Sequence, residues 1–546
     1  MVQFRLVLLC SIILCFSVIP STRTCIATEQ GPIYIHADGS IDPPTSLVSS
    51  TDNITYTLTG DIRSTEDGII VQRNNTVIDG NGHSLFGRDG MAIYTIGMNL
   101  TAVNNVTVKN ADIMGFSEDI RLSHSNNITI TGNTFAGNNV TSGRSAGIDL
   151  DSSSNNNMTG NVFVNAGLGV FGSFGNVVMS NVVNGKPLVY LEDSSDQTIG
   201  NAGQVVLVHC NRIKIENLTL FYLALGIELY ETNNTSLFNN TITNGDEGIF
   251  LYSSHNNSID QNNVVANLYY GITIFSSCNN SLTNNNLTAN NWQAVDLESS
   301  SGTLIMGNNI SDSTYGLYIN DSSNNMIYHN NFFNNRLEQA AYSFSSNIWD
   351  DDYPSGGNYW SDYAGIDQKN GPYQNLTGSD GIGDTPYLVN ADQHIQPIDR
   401  DNYPLMGTFH SYNVTYFTPP MVGHFCEVDV VSSSTISAFT APIWLEHPEV
   451  IFLTFNVTGA SGSTGFCRVS FPNAMMNGTY HVIVNGTEVL YTLLPSSNTS
   501  VSYLYFNYEH STEQVEILPE FQPFVLLPLL TITTLLTTAA YKRKRD

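Results

Sequence analysis

Residues 226–240 read Gly-Ile-Glu-Leu-Tyr-Glu-Thr-Asn-Asn-Thr-Ser-Leu-Phe-Asn-Asn, and the same phrase returns every 22 or 23 residues. Further copies begin at Gly248, Gly271 and Gly316, and Ala294 fills the glycine slot between the last two. A fixed period of this length, built from short β-type segments and Asn, Gly and Ser corners, is typical of a solenoid. The repeat predicts a parallel β-helix with three short strands in each coil.

Two further slots of the repeat are constant. Eight positions after the Leu slot the residue is always apolar, and eleven positions after it the residue is always asparagine. The apolar residues are Ile130, Met158, Val178, Leu237, Ile259, Leu282, Ile305 and Ile327. The asparagines are Asn133, Asn161, Asn181, Asn240, Asn262, Asn285, Asn308 and Asn330. Asparagine tolerates left-handed backbone angles and its amide can pair with the next coil, so the pattern predicts ladders of corner asparagines.

Side-chain alternation assigns each strand residue to a face. Ile227 and Leu229 are predicted to face the interior and Glu228 and Tyr230 to face outward, because successive strand side chains point to opposite sides. A single coil cannot bury its apolar pair alone. Coils stacked ~4.8 Å apart are therefore expected to share one continuous core.

The two ends of the chain predict export and anchoring. Residues 1–27 contain a short apolar run with Arg5 near its start, which is typical of a secretory signal peptide. Residues 521–541 are almost uncharged and apolar over a length that can span a bilayer, which predicts a transmembrane helix. The basic residues within 542–546 predict a cytoplasmic tail. A processed anchor is the alternative for this end.

Charge and cysteine content restrict the partners and the compartment. A net charge of −29 with 19 Lys and Arg argues against nucleic acid as a partner. Asn-x-Ser/Thr sequons such as Asn53, Asn105 and Asn286 are possible glycan acceptors in an exported chain. Three of the seven cysteines lie within residues 1–27. Of the remaining four, Cys426 and Cys467 share the C-terminal region and are expected to pair in a disulfide outside the cell.

Composition shifts divide the chain into four zones between its ends. Glycine and aspartate become frequent from Trp349 onward and break the period, and alternating apolar and polar runs begin near residue 408. The zones are an N-terminal cap at 28–80, coils at 81–348, a C-terminal cap of the β-helix at 349–407 and a small β-sandwich at 408–516. The caps are needed because an open β-edge invites aggregation.

Three segments resemble archaeal cell-surface proteins that carry NosD-type β-helix repeats, also described as the carbohydrate-binding and sugar-hydrolase repeat. They are 33–44 (IYIHADGSIDPP) with 78–83 (IDGNGH), 184–191 (NGKPLVYL) with 202–207 (AGQVVL), and 357–363 (GNYWSDY) with 380–387 (DGIGDTPY) and 401–406 (DNYPLM). The resemblance implies right-handed coils and display on the extracellular face of the membrane. The expected fold class is all-β, a right-handed parallel β-helix followed by a small β-sandwich and a C-terminal transmembrane helix.

The outward strand positions predict a carbohydrate-binding surface. They comprise Tyr230, Tyr252 and Phe275 after the Leu slot, and Glu228, Phe250, Asp296 and Tyr318 before it. Aromatic rings flanked by carboxylates can stack on sugar faces and accept hydrogen bonds from hydroxyls. The expected partner is a polysaccharide or surface glycan. The alternative is that the stacked aromatic residues only stabilise neighbouring strands.

Other functions remain open beside carbohydrate binding. The outward pairs Asp149/Asp151 and Asp296/Glu298 are spaced i, i+2, so each pair shares one face and could serve a lyase, hydrolase or epimerase. A purely structural envelope component is the third possibility.

Two metals are candidate cofactors. The resemblance to NosD implies copper handling, and His255 and Cys278 occupy equal slots on adjacent coils, but the chain lacks a ligand spacing for copper. Structural calcium is the alternative. Asp380 and Asp384 are four residues apart across two glycines, with Asp362 in the same segment, and hard cations take several oxygen ligands.

Overall fold

The computed structural model describes residues 29–87, 94–137, 146–391, 399–418, 422–444, 447–495, 497 and 500–519. Their regular secondary structure is almost entirely β-strand. Two stacks of coils come first, named here the first stack (residues 29–183) and the second stack (residues 186–361), and a capping segment and a sandwich follow. The predicted parallel β-helix is confirmed. The predicted signal peptide, residues 1–27, lies outside the described residues.

The first stack has a front sheet and a rear sheet of its own. The front sheet contains Ile33–Ile35, Ile41–Asp42, Ile69–Val71, Ile96–Thr101, Glu118–Ser123, Ala146–Asp151 and Leu168–Phe171. The rear sheet contains Val48–Ser49, Thr55–Leu58, Thr76–Asp79, Val106–Lys109, Thr129–Thr131, Asn157–Thr159 and Val177–Met179. Strands of the predicted N-terminal cap, residues 28–80, therefore already belong to these sheets.

A third sheet of 16 strands, the shared sheet, runs through both stacks. Its first-stack strands are Glu29–Gln30, Ile62–Ser64, Ser84–Phe86, Asp112–Met114, Thr134–Ala136, Val162–Val164 and Val182–Val183. The strands that follow are Lys186–Glu192, Gln204–Val208, Leu225–Tyr230, Glu247–Tyr252, Tyr270–Phe275, Gln293–Glu298, Tyr315–Asn320, Glu338–Ser343 and Asn390–Ala391.

Two further sheets complete the second stack. The flank sheet contains Thr198–Ile199, Lys214–Glu216, Ser236–Phe238, Ser258–Asp260, Ser281–Thr283, Leu304–Met306 and Met326–Tyr328. The base sheet contains Thr219–Phe221, Thr241–Thr243, Asn263–Val265, Asn286–Thr288, Asn309–Ser311, Asn331–Phe333 and Tyr359–Trp360. Neighbouring strands pair in parallel from coil to coil.

Strand direction reverses between the two stacks. Val182 pairs with Pro187 and Val183 with Lys186 in antiparallel register. The turn between them, Asn184-Gly185, has φ values of 47° and 80°, and two consecutive positive φ values are what a type I′ hairpin turn requires. The second-stack strands of the shared sheet therefore run opposite to those of the first stack.

The corner asparagines form the predicted ladder, with one correction. Asn240 donates both its backbone N–H and its Nδ2 to Oδ1 of Asn262, each at 2.9 Å. Both asparagines are buried and neither has a positive φ. The residue before each one does, with φ of 52° at Asn239 and 56° at Gln261. The left-handed position of the corner is thus one residue earlier than the sequence predicts, and the asparagine acts through its amide.

An aromatic stack closes the last coil. Trp360, at the end of the base sheet, lies 4.5 Å from the Phe332 ring below it and 4.2 Å from the Tyr387 ring above it, with nearly parallel planes. Its indole Nε1 donates to Oδ2 of Asp401 at 2.9 Å. Residues 349–407, which overlap the end of the second stack, are the capping segment. Its remaining elements are Asp352–Ser355 (helical), Lys369–Asn370, Leu376–Thr377, Tyr387–Leu388 and Arg400–Asp401.

Residues 408–519 form two five-stranded antiparallel sheets around their own apolar core, called the sandwich below. One sheet contains Thr408–Thr418, Val422–Ser432, Thr464–Pro472, Tyr491–Leu493 and Val501–Glu509. The other contains Thr435–Thr440, Leu453–Thr458, Tyr480–Val484, Thr487–Val489 and Thr512–Pro519. A small hairpin, Ile443–Trp444 with His447–Ile451, lies beside them.

The predicted fold class needs a correction at its C-terminal element. Among the described residues, no helix has both the length and the apolar character needed to cross a bilayer. Residues 521–541, where the sequence predicts a transmembrane helix, and the basic tail at 542–546 lie outside those residues. The fold of the described residues is therefore the β-solenoid with its sandwich, and the transmembrane helix is not part of it.

Candidate functional site

The outer face of the shared sheet carries two columns of side chains in the second stack. Parallel register places equivalent residues of successive coils side by side. One column contains Glu228, Phe250, Thr273, Asp296 and Tyr318. The other contains Tyr230, Tyr252, Phe275, Glu298 and Asn320. The alternation predicted from the repeat thus brings the proposed sugar-binding residues onto one surface.

The aromatic rings of the second column form a ladder. The ring centroids of Tyr230 and Tyr252 are 5.7 Å apart, and those of Tyr252 and Phe275 are 5.5 Å apart with planes within 6° of parallel. Phe171, at the end of the first stack, meets Tyr252 edge-on at 5.6 Å. These separations follow from strand spacing, because each ring is attached one coil further along the axis.

The last strand of the front sheet covers the beginning of this surface. The backbone N–H of Val170 donates to Oε2 of Glu228 at 3.2 Å. Gln204 binds Leu168 on both sides, accepting from its N–H at 2.9 Å and donating to its carbonyl oxygen at 2.7 Å. As a result Glu228 is 0% and Tyr230 is 2% exposed. A polymer therefore cannot reach these two predicted site residues, whose side chains join the stacks.

The other five predicted residues remain accessible beyond the covered coils. They are the half-buried side chains of Phe250, Tyr252, Phe275, Asp296 and Tyr318. Phe171, which the sequence pattern also places at an outward slot, is 48% exposed and borders them from the first stack. The open surface therefore consists of these five side chains with Phe171 at its border, and we call it the platform.

The coil between Phe275 and Tyr318 adds acidic side chains to the platform. Burial, and then the negative charges of Glu298 and Glu247, raise the pKa of Asp296 to about 7. In the orientation that satisfies both groups, the amide nitrogen of Gln293 lies 3.2 Å from each oxygen of Asp296. A carboxyl group with a pKa near neutrality can hold or release a proton under physiological conditions.

Comparison with protein families decides the nature of the coils. Residues 192–365 match the family described as "Periplasmic copper-binding protein (NosD)". Residues 48–220 match the family described as "Right handed beta helix region". The chain carries NosD-type right-handed β-helix repeats. The NosD match spans the platform, whereas the second match spans most of the first stack and the reversal hairpin. No curated protein matches the chain by sequence.

Solved structures with a similar course of the chain include a tailspike and two epimerases. The Dettilon tailspike protein (gp208) is 10% identical, with 90% of this chain and 85% of that chain covered and a TM-score of 0.26. The periplasmic alginate epimerase AlgG is 13% identical, covering 61% and 81%, with a TM-score of 0.22. The A-module of the Azotobacter vinelandii mannuronan C-5 epimerase AlgE6 is 11% identical, covering 54% and 88%, also at 0.22. TM-scores this low carry no argument about function.

The residues of the NosD-type repeats do not fit a copper centre. His255 and Cys278 are brought together as predicted, but Nδ1 of His255 accepts the backbone N–H of Cys278 at 2.9 Å. Copper is held by imidazole and sulfur ligands in larger sets. Within the described part of the chain, the one group of three candidate ligand residues is Glu192, Asp193 and His209, which contains no sulfur.

The aspartates proposed for calcium are spread over the capping segment. Asp380 accepts from the N–H of Ile382 at 3.1 Å and from Gln374 at 3.2 Å. Asp384 accepts from the N–H of Lys369 at 3.1 Å, and Asp362 from the hydroxyl of Tyr387 at 3.3 Å. Each carboxylate therefore stabilises a turn or anchors a ring. The described residues contain no group in which these three aspartates share one ion.

The predicted disulfide is not formed in this structure, in which Cys426 and Cys467 are both free. Cys467 pairs across the sheet with Ser432, six residues along the strand from Cys426. Six strand residues span roughly 20 Å, whereas a disulfide needs Cα atoms within about 7 Å. Shared membership of the sandwich was visible in the sequence, but the register that separates the thiols was not.

Proposed function

We propose that the platform binds a carbohydrate polymer outside the cytoplasm. The observation that carries the proposal is the half-buried pair Tyr252 and Phe275, whose rings are nearly parallel at 5.5 Å and are bordered by exposed Phe171. Rings held open to solvent at fixed spacing suit the flat apolar faces of sugar residues, and the tyrosine hydroxyl adds a polar contact. Phe250 and Tyr318 extend the same surface.

The repetition of the coils favours a polymer over a single sugar. Outward positions recur with each coil, and aromatic rings occupy four of them (Phe250, Tyr252, Phe275 and Tyr318), so a ligand with its own repeat can engage several of them at once. Each weak contact then raises the effective concentration for the next one, which increases total affinity without any single strong contact. The platform is therefore expected to retain long chains better than short oligomers of the same sugar.

Location outside the cytoplasm is supported by the sequence and by the family match. Residues 1–27 are predicted to be a signal peptide, and the family that matches residues 192–365 is described as periplasmic. Display on the outer surface of the cell belongs to the same proposal.

Affinity electrophoresis of the full chain through gels containing single polysaccharides tests whether the protein binds carbohydrate, because a polymer that binds the protein slows its migration in proportion to the polymer concentration.

A second candidate, polymer cleavage or epimerisation on the same face, is favoured by one observation. Asp296 has a pKa near 7 and shares its outward face with Glu298, two residues along the strand, at a Cα separation of about 7 Å. Glycoside hydrolysis uses two neighbouring carboxyl groups, of which the general acid has a raised pKa. Shortened or unsaturated products after incubation, lost with Asp296→Asn, would support it.

A further inference from the structure

The sandwich is fixed to the second stack by a short joint. Asn331, in the base sheet, accepts the backbone N–H of Phe409 at 2.8 Å and donates to its carbonyl oxygen at 2.9 Å. The rings of His329 and Phe409 stack at 4.1 Å. Successive residues of the strand Thr408–Thr418 point to opposite sides of this joint. Each side therefore borders a separate cleft between the sandwich and the coils.

One of these clefts has a volume of about 500 Å³ and is lined by uncharged side chains. Ligand sites typically measure roughly 300–1,000 Å³. We name it the amide cleft, and its lining residues are Asn286, Thr288, Asn309, Ser311, Asn331, Phe333, Tyr359, Met406, Gly407, Thr408, His410, Ser432, Ser433, Ser434 and Thr435. Burial lowers the pKa of His410, so its ring is neutral at pH 7.

The base sheet supplies a regular wall for the amide cleft. Asn286, Asn309 and Asn331 are in register on three successive coils, and a second column contains Thr288 and Ser311. Nδ2 of Asn331 donates to Oδ1 of Asn309 at 2.8 Å. Nδ2 of Asn309 donates to no group in the described part of the chain. Its exposed amide thus presents a free donor to the cleft.

An aromatic pair closes one end of this wall. The rings of Phe333 and Tyr359 lie 5.4 Å apart and are half-buried. On the opposite side, the sandwich contributes the exposed side chains of Ser433 and Thr435. The cleft therefore combines amide and hydroxyl groups with a ring surface. This is the combination that recognises a neutral sugar, whose hydroxyls need donors and acceptors and whose faces are apolar.

The cleft on the other side of the joint has charged lining residues, so the lack of charge distinguishes the amide cleft from its neighbour. It has a volume of about 460 Å³, and its lining includes Asp351, Glu427 and Asp429. The chain as a whole carries a net charge of −29. An uncharged wall offers no cation for a polyanionic glycan and no carboxylate for a cationic one.

We propose that the amide cleft is a second binding site and that it takes a short, neutral oligosaccharide. The site is independent of the platform, which lies on a different sheet and contains carboxylates. Asn286 and Asn309 each begin an Asn-x-Ser/Thr sequon, Asn286-Leu-Thr288 and Asn309-Ile-Ser311. A glycan attached to either asparagine would fill the cleft. The protein for the test must therefore come from a host without N-glycosylation.

Isothermal titration of the full chain with soluble hexasaccharides tests this site. The probes are cellohexaose, mannohexaose and N-acetylated chitohexaose as neutral ligands, with hexaguluronate and fully deacetylated chitohexaose as charged controls. We expect saturable binding of at least one neutral hexasaccharide and none of the charged controls. Absence of neutral binding, or equal binding of a charged control, would overturn the proposal.

Three variants locate the binding. Asn309→Leu should weaken it about tenfold, as expected for lost hydrogen bonds. Thr241→Leu is the matched control, because it introduces the same residue in the same column two coils before the cleft, and it should bind as the parent does. Tyr252→Ala should also leave this binding unchanged. Binding lost with Tyr252→Ala and kept with Asn309→Leu would assign the oligosaccharide to the platform and refute the amide cleft. A cooperative unfolding transition with a melting temperature well above that of the titration would show that each variant is folded.

Discussion

Val170 donates its backbone N–H to the carboxylate of Glu228 at 3.2 Å, across the junction between the two stacks. The two residues are 58 positions apart, and Glu228 is fully buried. An edge strand ordinarily exposes unpaired N–H groups that invite pairing with another chain. Here the side chains of Glu228 and Gln204 occupy that edge, so the reversal of the solenoid leaves Leu168–Phe171 protected.

Removal of the Glu228 carboxylate should destabilise the junction. In Glu228→Ala the buried N–H of Val170 loses its acceptor, and we expect a loss of about 1–3 kcal/mol in the free energy of unfolding. Glu228→Gln keeps an acceptor oxygen and should lose less. Urea titration followed by circular dichroism measures both. Equal losses in the two variants would contradict the role of the hydrogen bond.

Tyr230 and Tyr252 should respond differently to truncation although they are neighbours in one column. Tyr230 is covered by the first stack, so Tyr230→Ala opens a cavity and should cost about 3 kcal/mol or more. Tyr252 is half-buried, and Tyr252→Ala should cost about 1 kcal/mol through its lost ring contacts. Unfolding midpoints of the two variants provide the measurement. Equal costs would show that the first stack does not cover Tyr230.

Asp119 should make the first stack less stable as pH rises. It fills the slot that Gly97 and Gly147 occupy in the adjacent coils, and neither carboxyl oxygen has a partner among the described residues. Burial raises its pKa well above the usual value. Below about pH 4 the Asp119 carboxyl group is protonated in both the folded and the unfolded protein. As the pH rises above about 4, it ionises first in the unfolded chain, which favours unfolding.

The variant Asp119→Ala isolates this effect. It should raise the melting temperature more at pH 8 than at pH 4, because the buried carboxyl group of the parent destabilises the folded state through its ionisation only at the higher pH. Asp112→Ala, which removes a half-buried carboxylate seven residues earlier, serves as the control and should not show this difference. A gain from Asp119→Ala that is independent of pH would contradict the assignment.

The thiols of the sandwich should be independent of each other. Burial raises the pKa of Cys467 to about 11, which keeps it as an unreactive thiol, whereas Cys426 is only partly buried. We expect a thiol reagent to modify Cys426 faster than Cys467 in the folded protein. Addition of dithiothreitol should leave the unfolding midpoint unchanged. A disulfide would be indicated if reduction lowered the unfolding midpoint of the parent protein, and if Cys426→Ser had an equally low midpoint without reductant.

The repeat encodes the coils because its information is local. The apolar and asparagine slots of Leu237 and Asn240 recur in every copy, and neighbouring coils need only each other to bury them. The spacing breaks between Val170 and Leu229, where 59 residues separate two Leu slots. That break and the turn dipeptide Asn184-Gly185 were the visible signals of the reversal.

The accessibility of the site could not be predicted in the same way. The period places Glu228 and Tyr230 outward as correctly as Tyr252, but their burial depends on where Leu168–Phe171 lies in space. No side-chain alternation within one coil contains that information. The amide cleft was equally hidden, because six of its fifteen lining residues come from the sandwich. Sequence patterns thus assigned faces to residues, while contacts between distant segments decided which faces stay open.

The most direct test of the platform is affinity electrophoresis of the parent chain beside the double variant Tyr252→Ala, Phe275→Ala. Each is run through a panel of gels containing neutral, anionic or cationic polysaccharides. We expect at least one polymer to retard the parent and not the double variant, with equal migration of the two in gels without polymer. If no polymer retards the parent, or if a polymer retards both proteins equally, the aromatic ladder does not bind carbohydrate and serves only to stabilise the strands.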